Sequence, residues 1–109
     1  MKRGKVWMAS AAGYAGKPRP AVIVIVQDDR FDGTASVTIC AFATDDAKAP
    51  LFRLPIAPSD RNGLRFKSQL MADKLATVRK ERLGKRLGRL DDEDVVRLNR
   101  AILVFLGMA

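Results

Sequence analysis

Lys17-Pro18-Arg19-Pro20-Ala21-Val22-Ile23-Val24-Ile25-Val26 is the stretch whose reading decides the fold. Each proline fixes its own φ and pushes the residue before it into extended backbone, so Arg19 is held between two stiff neighbours. Pro20 is tolerated because the first residue of a strand can go without a backbone donor. The six residues that follow are mostly β-branched and show no polar alternation, which predicts a strand buried on both faces. Arg19 therefore stands at the mouth of the best core strand. On these residues alone it either serves a site or caps an edge and points to water.

Working outward, Gly4 to Ser10 reads as a first strand, with Val6 and Met8 on one face and Trp7 on the other. Ala11 to Pro18, with two glycines and Tyr14, is the loop between these strands. On the far side, Asp28 to Gly33 is a polar turn whose Asp-Gly pair favours chain reversal, with Phe31 expected to tie it to the core. Ala35 to Ala43 alternates cleanly as a third strand, and Cys40 within it reads as a small buried hydrophobe. Thr44 ends that strand before Asp45-Asp46, so its hydroxyl is expected at a solvent-facing strand tip. Taken alone, Thr44 is a turn-starting residue.

Leu51 to Ile56 is a fourth strand, followed by Pro58 and a polar turn to Gly63. Leu64 to Met71 and Leu75 to Arg79 read as two further short strands around Ala72-Asp73-Lys74. Lys80 to Leu83 suits one helical turn, and Lys85 to Leu90 a short basic strand. The end differs in kind. Leu90-Asp91-Asp92-Glu93-Asp94 supplies an N-cap and an acidic first turn. Val95, Leu98, Ala101, Ile102 and Phe105 then recur at helical spacing through Leu106, with Gly107 as the stop.

The expected fold is mainly β with a C-terminal α-helix: five to seven short strands in a small, strongly bent barrel, one domain over residues 1–109. A run buried on both faces needs a second cover, from the C-terminal helix or from a second copy of the chain. A homodimer is the economical answer.

Composition narrows the function. The 109 residues are 48% apolar, a globular balance. The longest apolar stretch is far short of the roughly 20 residues of a membrane span, and the N-terminus lacks an apolar signal core, so the cytoplasm is expected. A lone cysteine forms no internal disulfide and gives no metal-ligand spacing. There is no histidine, which removes the usual acid–base group near neutral pH and makes a nitrogen-ligated zinc site improbable. The net charge of +8 favours a polyanionic partner, nucleic acid first. Arg79, Lys80, Arg82, Lys85, Arg86 and Arg89 concentrate that charge against a single acid, Glu81. Such a run is either a solvated face or a phosphate contact.

Four pieces, in order, resemble the MazF/PemK (Kid) toxins of bacterial toxin–antitoxin pairs. They are Lys2-Arg3-Gly4-x-Val6-Trp7, then Gly16-x-x-Arg19-Pro20-Ala21-Val22-Ile23-Val24, then Ala43-Thr44 at a strand end. The fourth is Gly63-Leu64-x-x-x-Ser68-x-Leu70-x-x-Asp73-Lys74-Leu75-x-Thr77-Val78. The Leu-Asp-Asp-Glu opening of the last helix also fits. The resemblance spans essentially the whole chain. It departs from the family pattern at Tyr14 and Ala15, where several members carry Glu-Gln, at Lys5 in place of Asp, and at Lys74 in place of Gln.

The resemblance implies an SH3-like barrel with a C-terminal helix, the MazF/CcdB-like toxin fold, working as a homodimer. It implies metal-independent, sequence-selective cleavage of single-stranded RNA, commonly mRNA, with no cofactor, and neutralisation by an antitoxin with an acidic, disordered tail. Residue by residue, the catalytic arginine falls on Arg19 and the catalytic threonine on Thr44. Tyr14, Lys17, Arg65, Lys67, Ser68 and Lys74 are the RNA-binding candidates, Tyr14 either stacking on a base or packing on the barrel. Two other classes compete: a CcdB-like gyrase poison, which acts through aromatics at the extreme C-terminus, where this chain reads Phe105-Leu106-Gly107-Met108-Ala109 without a Trp, and a nonenzymatic nucleic-acid-binding barrel.

Overall fold

In the computed structural model, residues 1–12, 18–45 and 48–109 are described, with the backbone alone at 11, 12, 18 and 19. Among the described residues six strands form one antiparallel sheet: β1 (Lys5–Ala12), β2 (Pro18–Ile25), β3 (Ser36–Ala43), β4 (Arg53–Ile56), β5 (Ser68–Arg79) and β6 (Leu83–Arg89). A helix, α1 (Asp92–Phe105), follows. The hydrogen-bonded order is β4-β5-β3-β2-β1-β6, so the sheet ends at β4 and β6 and is not closed.

The apolar run of β2 is buried on both sides, as its composition predicts. Ile23, Val24 and Ile25 are at most 2% exposed. Val24 joins Val6, Cys40, Leu70 and Leu90 in one cluster, against which α1 sets Leu98 and Ala101. Ile23 and Ile25 join Ala9, Val37 and Ile39 in a second cluster on the opposite face. Trp7, Val78 and Leu83 pack onto that second cluster. Those three come from β1, the end of β5 and the start of β6, so the curl of the sheet covers its own second face. The helix takes the first. Neither cluster needs a second copy of the chain to be dry.

Two expectations are corrected. Residues 68–79 form one continuous strand, not two. Asp73-Lys74 looks like a turn in the sequence, but the carboxylate has a cation on β4 to meet, and that lets the strand run on. Phe31 is 54% exposed and carries the Arg30 guanidinium over its ring at 5.2 Å, so it is not a tie to the core. The single helical turn after β5 is present as a 3-10 turn at Lys80–Arg82.

The helix begins after Asp91, with Asp92, Glu93 and Asp94 in the first turn, where the dipole favours acids. It stops as expected at Gly107, whose φ of 73° is left-handed. The Gly107 amide donates to the Val104 carbonyl and the Met108 amide to that of Leu103, the paired bonds of a Schellman motif.

Candidate active site at one end of the sheet

Strand register places the ends of β2, β3 and β5 that carry Arg19, Thr44 and Ser68 at one end of the sheet. Ser10 pairs with Pro20 and Ala11 with Arg19 across β1 and β2. Ile56 pairs with Ser68 across β4 and β5, and Ala43 with Gln69 across β3 and β5. One step beyond Ala43, Thr44 falls opposite Ser68. The β2–β3 register, which pairs Ile23 with Ala41, sets Thr44 opposite Pro20 when it is continued. A row of Thr44, Ser68 and Ile56 thus crosses β3, β5 and β4 at the end of the sheet where Ser10 faces Pro20 across β1 and β2, with Arg19 next to Pro20. The β2–β3 pairing itself runs from Ile23–Ala41 to Ile25–Ile39, so it stops short of Arg19 and Thr44.

Local chemistry accounts for each position. Arg19 enters β2 between two prolines, which restrict its backbone before the ladder begins. Thr44 is exposed, one residue past the end of β3. Ser68 is 6% exposed, and its hydroxyl donates to the Phe66 carbonyl at 2.9 Å. Beside the row lies a groove of about 580 Å³ whose lining includes Asp45, Lys48, Pro50, Arg53, Lys67 and Ser68.

The floor of the groove is electrostatically occupied. Arg53 Nε donates to Asp73 Oδ1 at 3.0 Å, and its Nη1 lies 3.8 Å from Asp45 Oδ1. Burial opposes the charged form of Asp73, but the hydrogen bond and charge of Arg53, with Lys74 nearby, outweigh it and hold the carboxyl below its usual range. Arg53 is thereby spent within the protein. Lys48, Arg65 and Lys67 are exposed and form no ion pair among the described residues, which leaves them to attract an anion.

Of the predicted RNA-binding residues, Lys67 and Ser68 line the groove and Arg65 lies two residues before Lys67, exposed. Lys74 stands six residues along β5 from Ser68, with its Nζ 3.9 Å from Asp73 Oδ2. Tyr14 and Lys17 lie outside the described residues. Sequence reasoning missed Asp45, Lys48 and Arg53. Arg53 carried a signal, as the lone cation inside the apolar run Leu51-Phe52-Arg53-Leu54.

Cys40 takes no part. It is fully buried, its thiol donates to the Met71 carbonyl at 3.3 Å, and burial pushes its pKa up to about 12.

Known proteins match this chain along almost their whole length. The chain is 53% identical over 110 residues to a probable endoribonuclease MazF of Mycolicibacterium smegmatis, covering 100% of this chain and 99% of that protein. It is 27% identical to the endoribonuclease EndoA of Bacillus subtilis, covering 99% of this chain and 96% of that one. Among solved structures, an endoribonuclease in complex with its cognate antitoxin from a mycobacterial species superposes with a TM-score of 0.83 at 26% identity, over 100% of this chain and 97% of that one. The PemK-like, MazF-like toxin model matches residues 2–106, and the chain belongs to that family of type II toxin–antitoxin toxins.

Proposed function

We propose that this protein is an endoribonuclease toxin that cleaves single-stranded RNA, mRNA above all, at the sheet end formed by Arg19 and Thr44. The observation that supports this is the placement of the start of β2, the end of β3 and the start of β5 at the same end of the sheet, where Lys48 and Lys67, unpaired among the described residues, stand on a groove beside Thr44. Relatives named as endoribonucleases support this activity over a gyrase poison or a nonenzymatic binder.

The chemistry is attack by a ribose 2′-hydroxyl oxygen on the neighbouring phosphorus. The P–O5′ bond breaks, the 2′ proton leaves, and the 5′ oxygen gains a proton. The products are a 2′,3′-cyclic phosphate and a 5′-hydroxyl end. Negative charge grows on the non-bridging oxygens as the phosphorane forms. A guanidinium at Arg19 meets two of those oxygens at once and stays charged at any working pH. The Thr44 hydroxyl donates a hydrogen bond to the same oxygens and adds preorganised stabilisation. Because the nucleophile belongs to the substrate, DNA is not cut, and no metal is required. Lys17, Arg65, Lys67, Ser68, Lys74 and Tyr14 hold the RNA on either side.

The protein works in the cytoplasm as a homodimer. The last turns of α1 expose Leu103, Val104, Phe105 and Leu106, an apolar end suited to a second copy. An antitoxin with an acidic, disordered tail neutralises it by lying along the basic groove.

The test is incubation of purified protein with a long single-stranded RNA in EDTA, beside Arg19→Ala and a DNA copy. Discrete RNA fragments ending in cyclic phosphate, absent with Arg19→Ala and with DNA, are expected. Intact RNA with the wild type overturns the activity, and cleavage that survives Arg19→Ala overturns the site.

A further inference from the structure

Arg65-Phe66-Lys67 is an exposed aromatic between two exposed cations, at the lip of the groove. One exposed apolar side chain is ordinary on a protein surface. Three features set Phe66 apart.

The first is that its ring is unoccupied. Phe31 carries Arg30 over its face, and the half-exposed Phe105 packs on Phe52 with ring centroids 5.6 Å apart. Phe66 is 68% exposed and has no ring partner among the described residues.

The second is that its backbone is held. Leu64 on one side and Ser68 on the other are buried. The Leu64 amide donates to Asn62 Oδ1 at 3.0 Å, and the Ser59 amide donates to the same oxygen. Asn62 is 4% exposed and donates its Nδ2 to the Ala57 carbonyl at 2.9 Å. Beyond the ring, the Ser68 hydroxyl bonds to the carbonyl of Phe66 itself. The phenyl group is thus presented on a braced stalk, so little backbone freedom remains to be lost when something lands on it.

The third is charge. Arg65 and Lys67 flank the ring without ion pairs among the described residues, and Lys67 with Ser68 continues into the groove beside Thr44. Cations spaced around an open aromatic face match the alternation of phosphate and base along a single strand of nucleic acid.

We propose that Phe66 is the stacking platform for one base of the RNA strand, with Arg65 and Lys67 holding the phosphates on either side of that base. The proposal rests on RNA binding at this sheet end and is independent of the cleavage chemistry. Every base has a π-face, so the platform supplies affinity without reading base identity.

The test measures binding of a fluorescein-labelled, mixed-sequence single-stranded RNA whose 2′-hydroxyls are methylated, so that it cannot be cut. Wild type, Phe66→Ala, Phe66→Leu and Phe66→Trp are compared as full-length chains, with thermal melts confirming equal folding. Stacking is worth about 5- to 160-fold in Kd per base. Phe66→Ala and Phe66→Leu are expected to weaken binding within that range. Phe66→Trp is expected to bind at least as tightly as wild type, with indole fluorescence quenched by RNA beyond any change in Trp7. In cleavage assays the loss appears in KM and leaves kcat in place. Wild-type affinity in Phe66→Ala, or full rescue by Phe66→Leu, overturns the proposal, as does a wild type that binds no RNA. Phe66-dependent binding by a wild type that cuts nothing keeps the platform and removes the nuclease. Cleavage with no effect of Phe66→Ala does the reverse.

Discussion

Arg53 on β4 and Asp73 on β5 meet as a two-pronged pair: Nε donates to Oδ1 at 3.0 Å and Nη2 to Oδ2 at 3.4 Å. The side chains are only 12% and 15% exposed. Arg53 pairs in register with Met71, so Asp73 is its diagonal neighbour, within reach of a long side chain. The pair fastens the edge strand β4 to β5, and with them the lining of the groove.

Arg53→Met is expected to destabilise the fold by about 2 kcal/mol, since it leaves a largely buried carboxylate without its charged donor. Adding Asp73→Leu should recover much of that loss, because an apolar pair replaces an ionic one of similar bulk. Urea unfolding of the two variants measures both effects. Equal stability of wild type and Arg53→Met would show the pair to be energetically idle.

The same pair sets an acid limit. The folded-state pKa of Asp73 lies below its ordinary 3.8, so its stabilising contribution is complete above that value. It is lost as pH falls below 3.8 and through the lower folded-state value. Acid titrations of wild type and Asp73→Asn should converge in stability at low pH and diverge above the carboxylate range. Parallel curves throughout would refute the assignment.

Thr44→Val is expected to reduce kcat for RNA cleavage roughly 10²-fold, the usual consequence of removing one preorganised donor to a developing oxyanion. Thr44→Ser keeps the hydroxyl and should keep most of the rate. Thr44 is exposed, so neither change should alter thermal unfolding. A valine variant as fast as wild type would take Thr44 out of the mechanism.

Gly63 and Gly88 lie where the 57–64 segment presses on β6. A Cβ on Gly63 would overlap the Leu87 carbonyl, and one on Gly88 the Arg61 carbonyl; Gly63 also has a φ of 70°. Gly63→Ala and Gly88→Ala should each cost roughly 3 kcal/mol, by forcing backbone apart in a packed region. Gly33 has open space around it and no positive φ, so Gly33→Ala should be neutral or slightly stabilising. Thermal melts of the three variants separate close approach from a general penalty on alanine.

Cys40 should resist alkylation in the native protein at mildly alkaline pH, since its pKa is pushed up to about 12 and its side chain is fully buried. Mass spectrometry after iodoacetamide treatment should find label only where denaturant is present. Rapid native labelling would mean that β3 opens readily.

The strands were legible wherever apolar residues kept their period. Val22 to Ile25 announced burial on both faces, and Val95 to Ile102 announced a helix. What composition hid was any feature that depends on a partner distant in sequence. Asp73-Lys74 reads as a turn until Arg53 is placed beside it, and Phe31 reads as core until the turn around it is seen to stand clear. Whether the sheet closes cannot be read from strand patterns, because β4 and β6 are edges only by virtue of where the chain goes next. Arg19 drew notice by its prolines, whereas Thr44 stood out only through the family resemblance. Lys48 and Asp45 were silent, as a groove is assembled from loops whose periodicity carries no signal.

The place of β1 in the sheet has a consequence for the timing of synthesis. β1 lies between β2 and β6, and the Leu90 amide donates to the Gly4 carbonyl, so β1 must wait for a segment made far downstream of it. At roughly 5–20 residues per second, the ribosome leaves one edge of β1 open for on the order of ten seconds. Leu98 and Ala101, which seal the larger cluster, come later still. Until β6 and α1 have emerged, the nascent chain therefore carries a sheet that is unfinished along β1 and a core that is still open.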